Sequence, residues 1–539
     1  MENTNCRLKA IKLLLIVAAT VFALSLVGRS SAQGGAPSQL TPEEKRGKQI
    51  YLKGVSPSGK EMTALLTSAD VEVPASTLAC AGCHGLNGQG KPEGGIRPSN
   101  IVWESLTKPY GVTHADGRKH PPYTEGALGL AVALGVDPAG NRLLAAMPRY
   151  RISREDMADL TAYLKRLGKD SDPGVTETTV KVGTILPTRG PLAEMGKDVK
   201  AMLLAYFDSI NEKGGIYNRQ IELCVAETGD GETPASESLK RFIGADQVFA
   251  LVSPFLPGAD EELRALAEHQ EVPLIGPLTL SPRAGFPINR HAFYLFSGLS
   301  EQSRALVIFA KQKLAQSRPR VAVIHFESDT AAQAATAIKE QCNKAGWGSA
   351  TTIKYSHWDF DTIRMVRKLK EEGADALFFI GAGAEAKAIL RAADQMQWAP
   401  QVFIPAGPAA RDLFDAPASF KDKLFISFPT LPSDLTRAGT ALYTALADKH
   451  NLEARHPAAQ LSALSAARVL TEALTRAGRD LSREKLVSTL EGFYQFDTGL
   501  TPPISYGPNR RIGALGAYVV SVDLEKRSFV PASAWIIPD

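Results

Sequence analysis

The segment Leu78–Gly90, with the sequence LACAGCHGLNGQG, decides how the first part of this chain is interpreted. Cys80 and Cys83 are separated by two residues, which places them about one helical turn apart, and His84 follows directly. Two thiols at this spacing can each form a thioether to a vinyl group of one porphyrin, and the next imidazole then faces the iron. The pattern predicts one covalently attached haem c, with His84 as the proximal ligand. A disulfide or part of a zinc site are the alternatives.

The iron of such a haem takes its sixth ligand from elsewhere in the same part of the chain. The side chains that qualify by type are Met62, His114, His120, Met147 and Met157. Met157 lies on the apolar face of a predicted helix, where methionine commonly belongs to the core. Met147 lies in a predicted loop beside Pro148, where the backbone is free to deliver a thioether. We therefore expect Met147 to be the sixth ligand.

Length and composition describe a folded chain of several domains. The chain has 539 residues, of which 44% are hydrophobic and 22% charged, and its formal net charge is only +4. No broad field of one sign is available to attract nucleic acid, so we expect no nucleic-acid partner. Residues 1–32 combine a basic start, an apolar run and small residues at Ser30-Ser31-Ala32, which predicts a cleaved signal peptide and a periplasmic location. The alternative is an uncleaved anchor that faces the periplasm.

The pattern changes between residues 168 and 180. Before this point, Thr41 and Glu44 have the spacing of a capping box, and helices are predicted at residues 125–134 and 154–167. Residues 169–179 are polar and carry Pro173, which predicts a linker. We expect a small all-α domain at residues 40–168 and a second domain at residues 180–539.

Short apolar strands alternate with helical patterns throughout the second domain. The predicted strands are Val182–Leu186, Ile221–Val225, Val248–Val252, Pro273–Ile275, Val321–Ile324, Ala376–Phe379 and Val402–Ile404. Such alternation is typical of parallel sheets with helices on both faces, and its length predicts two α/β lobes. A ligand would bind beyond the carboxyl ends of the strands, in the cleft between the lobes. Cys224 and Cys342 are expected to be separate small buried residues of the two lobes, and a disulfide between them is the alternative.

Residues 40–168 resemble a class I cytochrome c of the kind that accepts electrons from periplasmic alcohol dehydrogenases. The resemblance is carried by CAGCHGLNGQG, by GVDPAGNRLLAAMPRYRISREDMADLTAYLKRL, and by a first helix with Gly47 and Tyr51. The resemblance implies His/Met ligation and one-electron transfer. A methionine ligand raises the reduction potential and fills the sixth position of the iron, which favours an electron carrier over an oxygen-binding haem. We therefore expect an electron carrier with no catalytic residues, and a redox partner protein such as a periplasmic dehydrogenase.

Residues 180–539 resemble the type I periplasmic binding proteins of the branched-chain amino acid group, which serve ABC importers. The segment KVGTILPTRGPLAEMGKDVKAMLLAYFDSINEKGGIYNRQIEL and the order of strands and helices after it carry this resemblance. It implies two lobes joined by three crossovers, a small-molecule ligand and an ABC permease as partner. Five positions at which the resemblance implies polar or aromatic ligand contacts hold other residues here: Pro257, Leu280, Thr330, Ala382 and Gly407.

A buried amino-acid zwitterion without partners is costly, so a standard amino acid is not the expected ligand. The candidate contacts in the cleft are Glu194, Met195, Ser253, Thr279 and His325. For His325, which ends an apolar strand, a hydrogen-bonded core position is the alternative. The leading hypothesis is a periplasmic haem electron carrier fused to a solute-binding module. The alternatives are an ABC-transporter substrate-binding protein with an accessory haem, and a sensor in which ligand and redox state are linked.

Overall fold

The computed structural model of the protein describes residues 40–538, apart from 91–95, 97, 115–116, 171, 229–241, 243–246, 284, 315–317 and 406–409. The predicted signal peptide and Gly407 lie outside the described residues. The chain divides into two compact units, the first ending at Asp170 and the second beginning with the next residue. The domain bounds 40–168 and 180–539 and the linker 169–179 stay predictions.

The first unit is mainly helical. Its helices are α1 (Pro42–Lys53), α2 (Cys80–His84), α3 (Trp103–Leu106), α4 (Glu125–Leu134) and α5 (Arg154–Leu164). Its strands are β1 (Thr63–Leu66), β2 (Val71–Pro74), β3 (Val112–Thr113), β4 (Lys119–His120) and β5 (Arg149–Arg151). This arrangement confirms the helical first unit, while the strands were not foreseen. Strands β2, β1 and β5 form an antiparallel sheet in that order.

Helices α1 and α5 pack directly against each other and form the centre of the first unit. The capping box predicted at the start of α1 is confirmed, because Thr41 and Glu44 each accept a hydrogen bond from the other's backbone N–H. Arg46 of α1 forms a two-pronged ion pair with Asp159 of α5, with N···O distances of 2.7 and 2.9 Å. Buried side chains from α1, α4 and α5 share one core. That core holds one side of the segment that carries the two cysteines.

The second unit contains two α/β lobes. The strands are β6 (Thr179–Pro187), β7 (Gln220–Thr228), β8 (Ala250–Val252), β9 (Leu274–Ile275), β10 (Ala292–Phe296), β11 (Val321–Phe326), β12 (Thr351–Tyr355), β13 (Ala376–Ile380), β14 (Gln401–Pro405), β15 (Leu424–Phe428), β16 (Ile512–Ala514), β17 (Tyr518–Asp523) and β18 (Ser528–Pro531). The helices are α6 (Ala193–Asn211), α7 (Asp260–His269), α8 (Leu299–Lys313), α9 (Asp329–Lys344), α10 (Thr362–Glu371), α11 (Gly383–Gln395), α12 (Arg437–His450), α13 (Pro457–Ala477) and α14 (Arg483–Glu491).

The described strands of lobe 1 form a parallel sheet in the order β16-β10-β9-β8-β6-β7. Those of lobe 2 have the order β12-β11-β13-β14-β15-β17-β18, in which the last two strands run antiparallel to their neighbours. Helices α6 and α13 pack beside one face of the first sheet, and α8 and α9 beside one face of the second. The predicted pair of α/β lobes is confirmed.

Within the described part of the chain, three connections join the lobes, at residues 297–298, 429–436 and 515–517. Each lobe is therefore built from two separate stretches of sequence. Cys224 lies in β7 of lobe 1 and Cys342 in α9 of lobe 2, so no disulfide joins them.

Candidate functional site

Helix α2 is a single short helix that consists of the five residues Cys80–His84. The side chain of Cys80 is half-buried and that of Cys83 is exposed. Burial raises the pKa of the Cys80 thiol to about 11, so the group is an uncharged thiol at neutral pH. The helix ends at Gly85, whose φ of +76° favours glycine. The two thiols and the imidazole thus project from the same short helix at neighbouring positions.

The tautomer of His84 follows from its hydrogen bond. Its Nδ1 lies 2.9 Å from the backbone carbonyl oxygen of Ser99, and a carbonyl only accepts, so Nδ1 carries the proton. Desolvation lowers the pKa of His84, which keeps the ring neutral. The lone pair of Nε2 is left free to bind a metal, which is the arrangement that orients histidine ligands in metal sites.

A cavity of about 860 Å³ lies next to α2. Cys80, Cys83 and His84 lie on its wall, and so does Met147. Much of the remaining wall is aliphatic and comes from α3, α4, α5 and the loop before β5: Leu106, Leu128, Ala131, Val132, Leu143, Leu144, Leu160 and Leu164. A large apolar cavity with two thiols and one imidazole at its wall fits a flat, apolar macrocycle that is tethered through sulfur and ligated through nitrogen.

The structure separates the alternatives for the sixth ligand into two groups. Met62 is buried in the core and Met157 packs beside it on α5, and neither lines the cavity. Met147, His114 and His120 do line it. The two histidines face each other, with their Nε2 atoms 2.9 Å apart, and His120 Nδ1 donates to the carbonyl of Pro121 at 2.8 Å. Met147 is partly buried beside buried Pro148, in the loop where the sequence predicted it.

Two tyrosines that the sequence analysis did not assign to the site hold the backbone on either side of α2. The hydroxyl of Tyr51 donates to the carbonyl of Gly85 at 2.6 Å. The hydroxyl of Tyr150 donates to the carbonyl of Leu78 at 2.5 Å. Burial raises the pKa of both phenols, so both remain hydrogen-bond donors. Tyr51 was noted in the sequence only as part of a resemblance, and nothing local marks Tyr150 as a contact of Leu78.

The second unit has a smaller cavity of about 230 Å³ that is lined by both lobes. Lobe 1 contributes residues of α7 and of the segment after β9, and lobe 2 contributes the start of α9. The Oγ of Ser281 donates to Oε1 of Gln333 at 3.2 Å, and this hydrogen bond joins the two lobes. Of the five predicted cleft contacts, Thr279 lines this cavity. Its hydroxyl accepts a hydrogen bond from the backbone N–H of Ser281.

The other four predicted cleft residues do not line this cavity. Glu194 forms surface ion pairs with Lys197 and Arg455, and its neighbour Met195 is partly buried on the same turn of α6. His325 is buried, and its Nδ1 donates to the carbonyl of Phe326 at 2.9 Å, as expected for a hydrogen-bonded core position. Ser253 is fully buried with a φ of +45°, and its Oγ has no hydrogen-bond partner among the described residues.

Asp260 is a cavity residue that the sequence analysis missed. It is the first residue of α7, and desolvation raises the pKa of its carboxyl group, while a hydrogen bond from Thr279 acts in the opposite direction. Glu261, the next residue of α7, also lines the cavity, where it pairs with Arg264 and Arg283. In the sequence, these charged side chains resemble an ordinary exposed helix start. Only the tertiary fold places them beside the segment after β9.

The two parts of the chain match two different protein families. Residues 179–527 match the family model described as periplasmic binding protein. The match covers more than half of the chain, which therefore belongs to that family. Residues 45–168 match the model described as cytochrome c, which implies haem c as the cofactor. The chain thus joins a cytochrome c domain to a periplasmic binding protein domain.

Relatives of the second unit are amino-acid binding proteins by name. The chain is 25% identical over 206 residues to the Leu/Ile/Val-binding protein homolog 3 of Brucella melitensis, and the match covers 38% of this chain and 55% of that protein. It is 23% identical over 203 residues to the Leu/Ile/Val-binding protein BraC3 of Rhizobium johnstonii, a match that covers 38% of this chain and 54% of that protein. The chain thus spans about half the length of the curated relatives it matches.

Solved structures share the fold of the second unit. A leucine-binding protein from Thermotoga maritima aligns with a TM-score of 0.53 at 20% identity, over 67% of this chain and 99% of that one. A fatty acid ABC transporter substrate-binding protein from Thermomonospora curvata aligns with a TM-score of 0.53 at 19% identity, over 68% and 94%. At these identities the likeness concerns the fold alone. In the part of the chain that the structure describes, no helix is both long enough and apolar enough to span a membrane.

Proposed function

We propose that this protein is a periplasmic mono-haem cytochrome c that transfers electrons and carries a solute-binding module. The observation that supports it best is the large apolar cavity whose wall holds Cys80, Cys83, His84 and Met147. The two cysteines would tether the haem, and His84 and Met147 would be its axial ligands. The bound group supplies a one-electron couple between ferric and ferrous iron.

The residues of the chain favour electron transfer over catalysis at the haem. His84 and Met147 would both hold the iron, which would leave a substrate no open position at the metal. The hydrogen bond from His84 Nδ1 to the carbonyl of Ser99 fixes the ring, which limits reorganisation when the charge of the haem changes. The aliphatic part of the wall would shield the cofactor from water. In this proposal the protein is not an enzyme, and a redox partner protein, such as a periplasmic dehydrogenase, supplies or takes the electron.

The proposed ligand of the second unit is a small polar solute other than a standard amino acid. Its site would be the cavity between the lobes, with Asp260, Thr279 and Ser281 as hydrogen-bonding contacts. The cationic groups there are already paired, since both Arg264 and Arg283 face Glu261. A ligand carboxylate would therefore compete with a carboxylate of the protein, whereas a ligand that donates hydrogen bonds could bind the carboxyl group of Asp260, which lines the cavity. An ABC permease is a proposed partner of this unit.

One experiment tests both parts of this proposal. The protein is exported in a cell that matures cytochromes c, its mass is measured after denaturation, and any retained small molecule is identified by mass spectrometry. We expect the mass of one haem to remain with the chain and the ferric form to be low spin. A protein without covalent haem contradicts the carrier. A retained standard amino acid contradicts the proposed ligand class.

A redox titration separates the two alternative functions, a transport protein with an accessory haem and a redox-linked sensor. The reduction potential of the haem is measured with and without the retained solute. An unchanged potential with tight solute binding favours a transport protein that carries an accessory haem. A shifted potential favours a redox-linked sensor, and in that case oxidation must change solute affinity by the same free energy.

A further inference from the structure

The side chain of Arg149 holds the loop that presents Met147. Arg149 is the first residue of β5, and its guanidinium donates hydrogen bonds to three backbone carbonyls of the preceding loop. The distances are 2.5 Å to Met147, 3.0 Å to Leu143 and 3.4 Å to Leu144. Among the described residues, no carboxylate forms an ion pair with this arginine. Its donors are therefore directed at the backbone of the loop.

The other side of Arg149 packs on the end of helix α4. Gly135 caps this helix with a φ of +68°, and a Cβ atom placed on it would lie 1.9 Å from Nε and 2.0 Å from Cζ of Arg149. The guanidinium thus lies against a position that only glycine leaves open. A cation at a helix C-terminus is favoured by the helix dipole and by the carbonyls that the helix leaves unpaired. The Leu143 N–H also donates to the Gly135 carbonyl at 2.8 Å, and this bond joins the start of the loop to the same end of helix α4.

Strand β5 connects this arginine to the segment that carries the cysteines. Arg149 and Tyr150 pair with Leu65 and Ala64 of β1, which fixes the strand in the sheet. Successive side chains of a strand point to opposite faces. Tyr150, the next residue, donates to the carbonyl of Leu78, two residues before Cys80. Strand β5 therefore holds the loop of Met147 through the side chain of Arg149, and the segment before Cys80 through the side chain of Tyr150.

The loop has few other ties. The Met147 N–H donates to the Leu144 carbonyl at 3.1 Å, which is a bond within the loop itself. The Thr67 hydroxyl donates to the Ala145 carbonyl at 3.3 Å from outside the loop. Arg149 makes three bonds to the loop, and a hydrogen bond from a charged donor is worth more than one from a neutral donor. Among the described residues, Arg149 therefore makes more side-chain hydrogen bonds to this loop than Thr67 does, and its donors are charged.

We propose that Arg149 is a positioning residue that keeps the Met147 thioether within reach of the haem iron. The proposal rests on the proposed ligation by Met147. Arg149 would not touch the iron, because it acts through the backbone of the loop. Loss of the arginine increases the freedom of the loop and lets an external ligand displace the methionine.

The test uses the full haem-loaded chain and four variants. Arg149→Gln removes the charge and the fork of donors, and Arg149→Lys keeps the charge but loses the fork. Arg151→Gln is the matched control, because Arg151 is exposed on the same strand and pairs with Glu72. Met147→Leu reports on the ligand itself. The readouts are the long-wavelength charge-transfer band of methionine-ligated ferric haem and the affinity of the ferric protein for imidazole.

We expect Arg149→Gln to weaken the band and to raise imidazole affinity by about tenfold or more, which is the loss of one to two charged hydrogen bonds. Arg149→Lys gives a smaller change in the same direction, and Arg151→Gln matches the unchanged protein. If Arg149→Gln does not fold, Arg149→Lys alone must still raise imidazole affinity. Wild-type behaviour of the folded Arg149 variants, with the band lost in Met147→Leu, overturns only the positioning role. A band retained in Met147→Leu overturns the ligand assignment and this proposal together.

Discussion

A Cβ atom on Gly47 would lie 1.9 Å from the carbonyl oxygen of Asp159. Helices α1 and α5 therefore meet at a point where only a glycine fits. We expect Gly47→Ala to destabilise the first unit by about 1–3 kcal/mol, because the helices must move apart and strain the core. Denaturant unfolding followed through haem absorbance measures the change. Gly126 of α4 is the control, since a Cβ there meets nothing within 4 Å, and Gly126→Ala is expected to be neutral or slightly stabilising. Equal effects of both substitutions would contradict this account.

Covalent attachment of haem is expected to depend on both cysteines of α2. In the double variant Cys80→Ala and Cys83→Ala, haem can still enter the apolar cavity, but denaturation should release all of it. Mass spectrometry of the denatured chain measures the loss directly. Cys342→Ala is the control, because Cys342 is buried in the other unit, and the variant should keep its haem. Haem that survives denaturation in the double variant would mean that another residue forms the tether.

Replacing Met147 by leucine is expected to lower the reduction potential by about 0.1 V or more, since a thioether ligand stabilises the ferrous state. Spectroelectrochemical titration measures the potential. Met157→Leu provides a matched control, because Met157 packs beside the core and does not line the haem cavity. A fall in potential in Met157→Leu together with an unchanged Met147→Leu would reverse the assignment of the two methionines.

The carboxyl group of Asp260 is expected to make the second unit less stable as pH rises. Desolvation raises the pKa of Asp260 in the folded state above its ordinary value of 3.8, so the folded chain binds this proton more tightly than the unfolded chain. The stability linked to this proton is complete below the ordinary pKa and is lost as pH rises through the raised value. Asp260→Asn should therefore increase thermal stability at neutral pH, and the gain should vanish in acid.

Scanning calorimetry of the full chain at several pH values measures this difference. Glu268→Gln, which replaces an exposed carboxyl group at the other end of α7, is measured beside it for comparison. A gain in Asp260→Asn that is the same at every pH would assign the effect to packing and not to charge.

Local patterns predicted the elements whose chemistry is local. The capping box of Thr41 and Glu44 and helix α4 appear in the structure where the sequence indicated them. The alternation of buried strands and helices also identified the two lobes, because parallel strands covered on both faces are apolar along their length. The cavity brings Cys80, Cys83 and His84 together with Met147, although their roles as ligands stay predictions.

The sequence offered little warning of the features that depend on long-range pairing. Strands β1 and β2 have only four residues each; β2 is largely exposed, and β1 is half-buried along its length except at buried Ala64, so neither shows the alternation of buried and exposed side chains that marks a strand. Strand β5, which pairs with β1 on the side opposite β2, lies some 80 residues further along the chain. The hydrogen bond between Tyr150 and Leu78 depends on this pairing, and so does the place of Arg149. Asp260 was missed for the same reason, because its neighbour Thr279 belongs to a different element.

The three connections between the lobes also set an order of events during folding. The first unit is one continuous stretch of chain, so it can fold and receive haem before the rest of the chain has folded. Lobe 1 cannot do so, because helix α13 (Pro457–Ala477), which packs against its β8, β9 and β10, lies beyond the whole main body of lobe 2. Most of the second unit must therefore be present at the place of folding before lobe 1 has a core, and the first unit can be complete while lobe 1 is still unfolded.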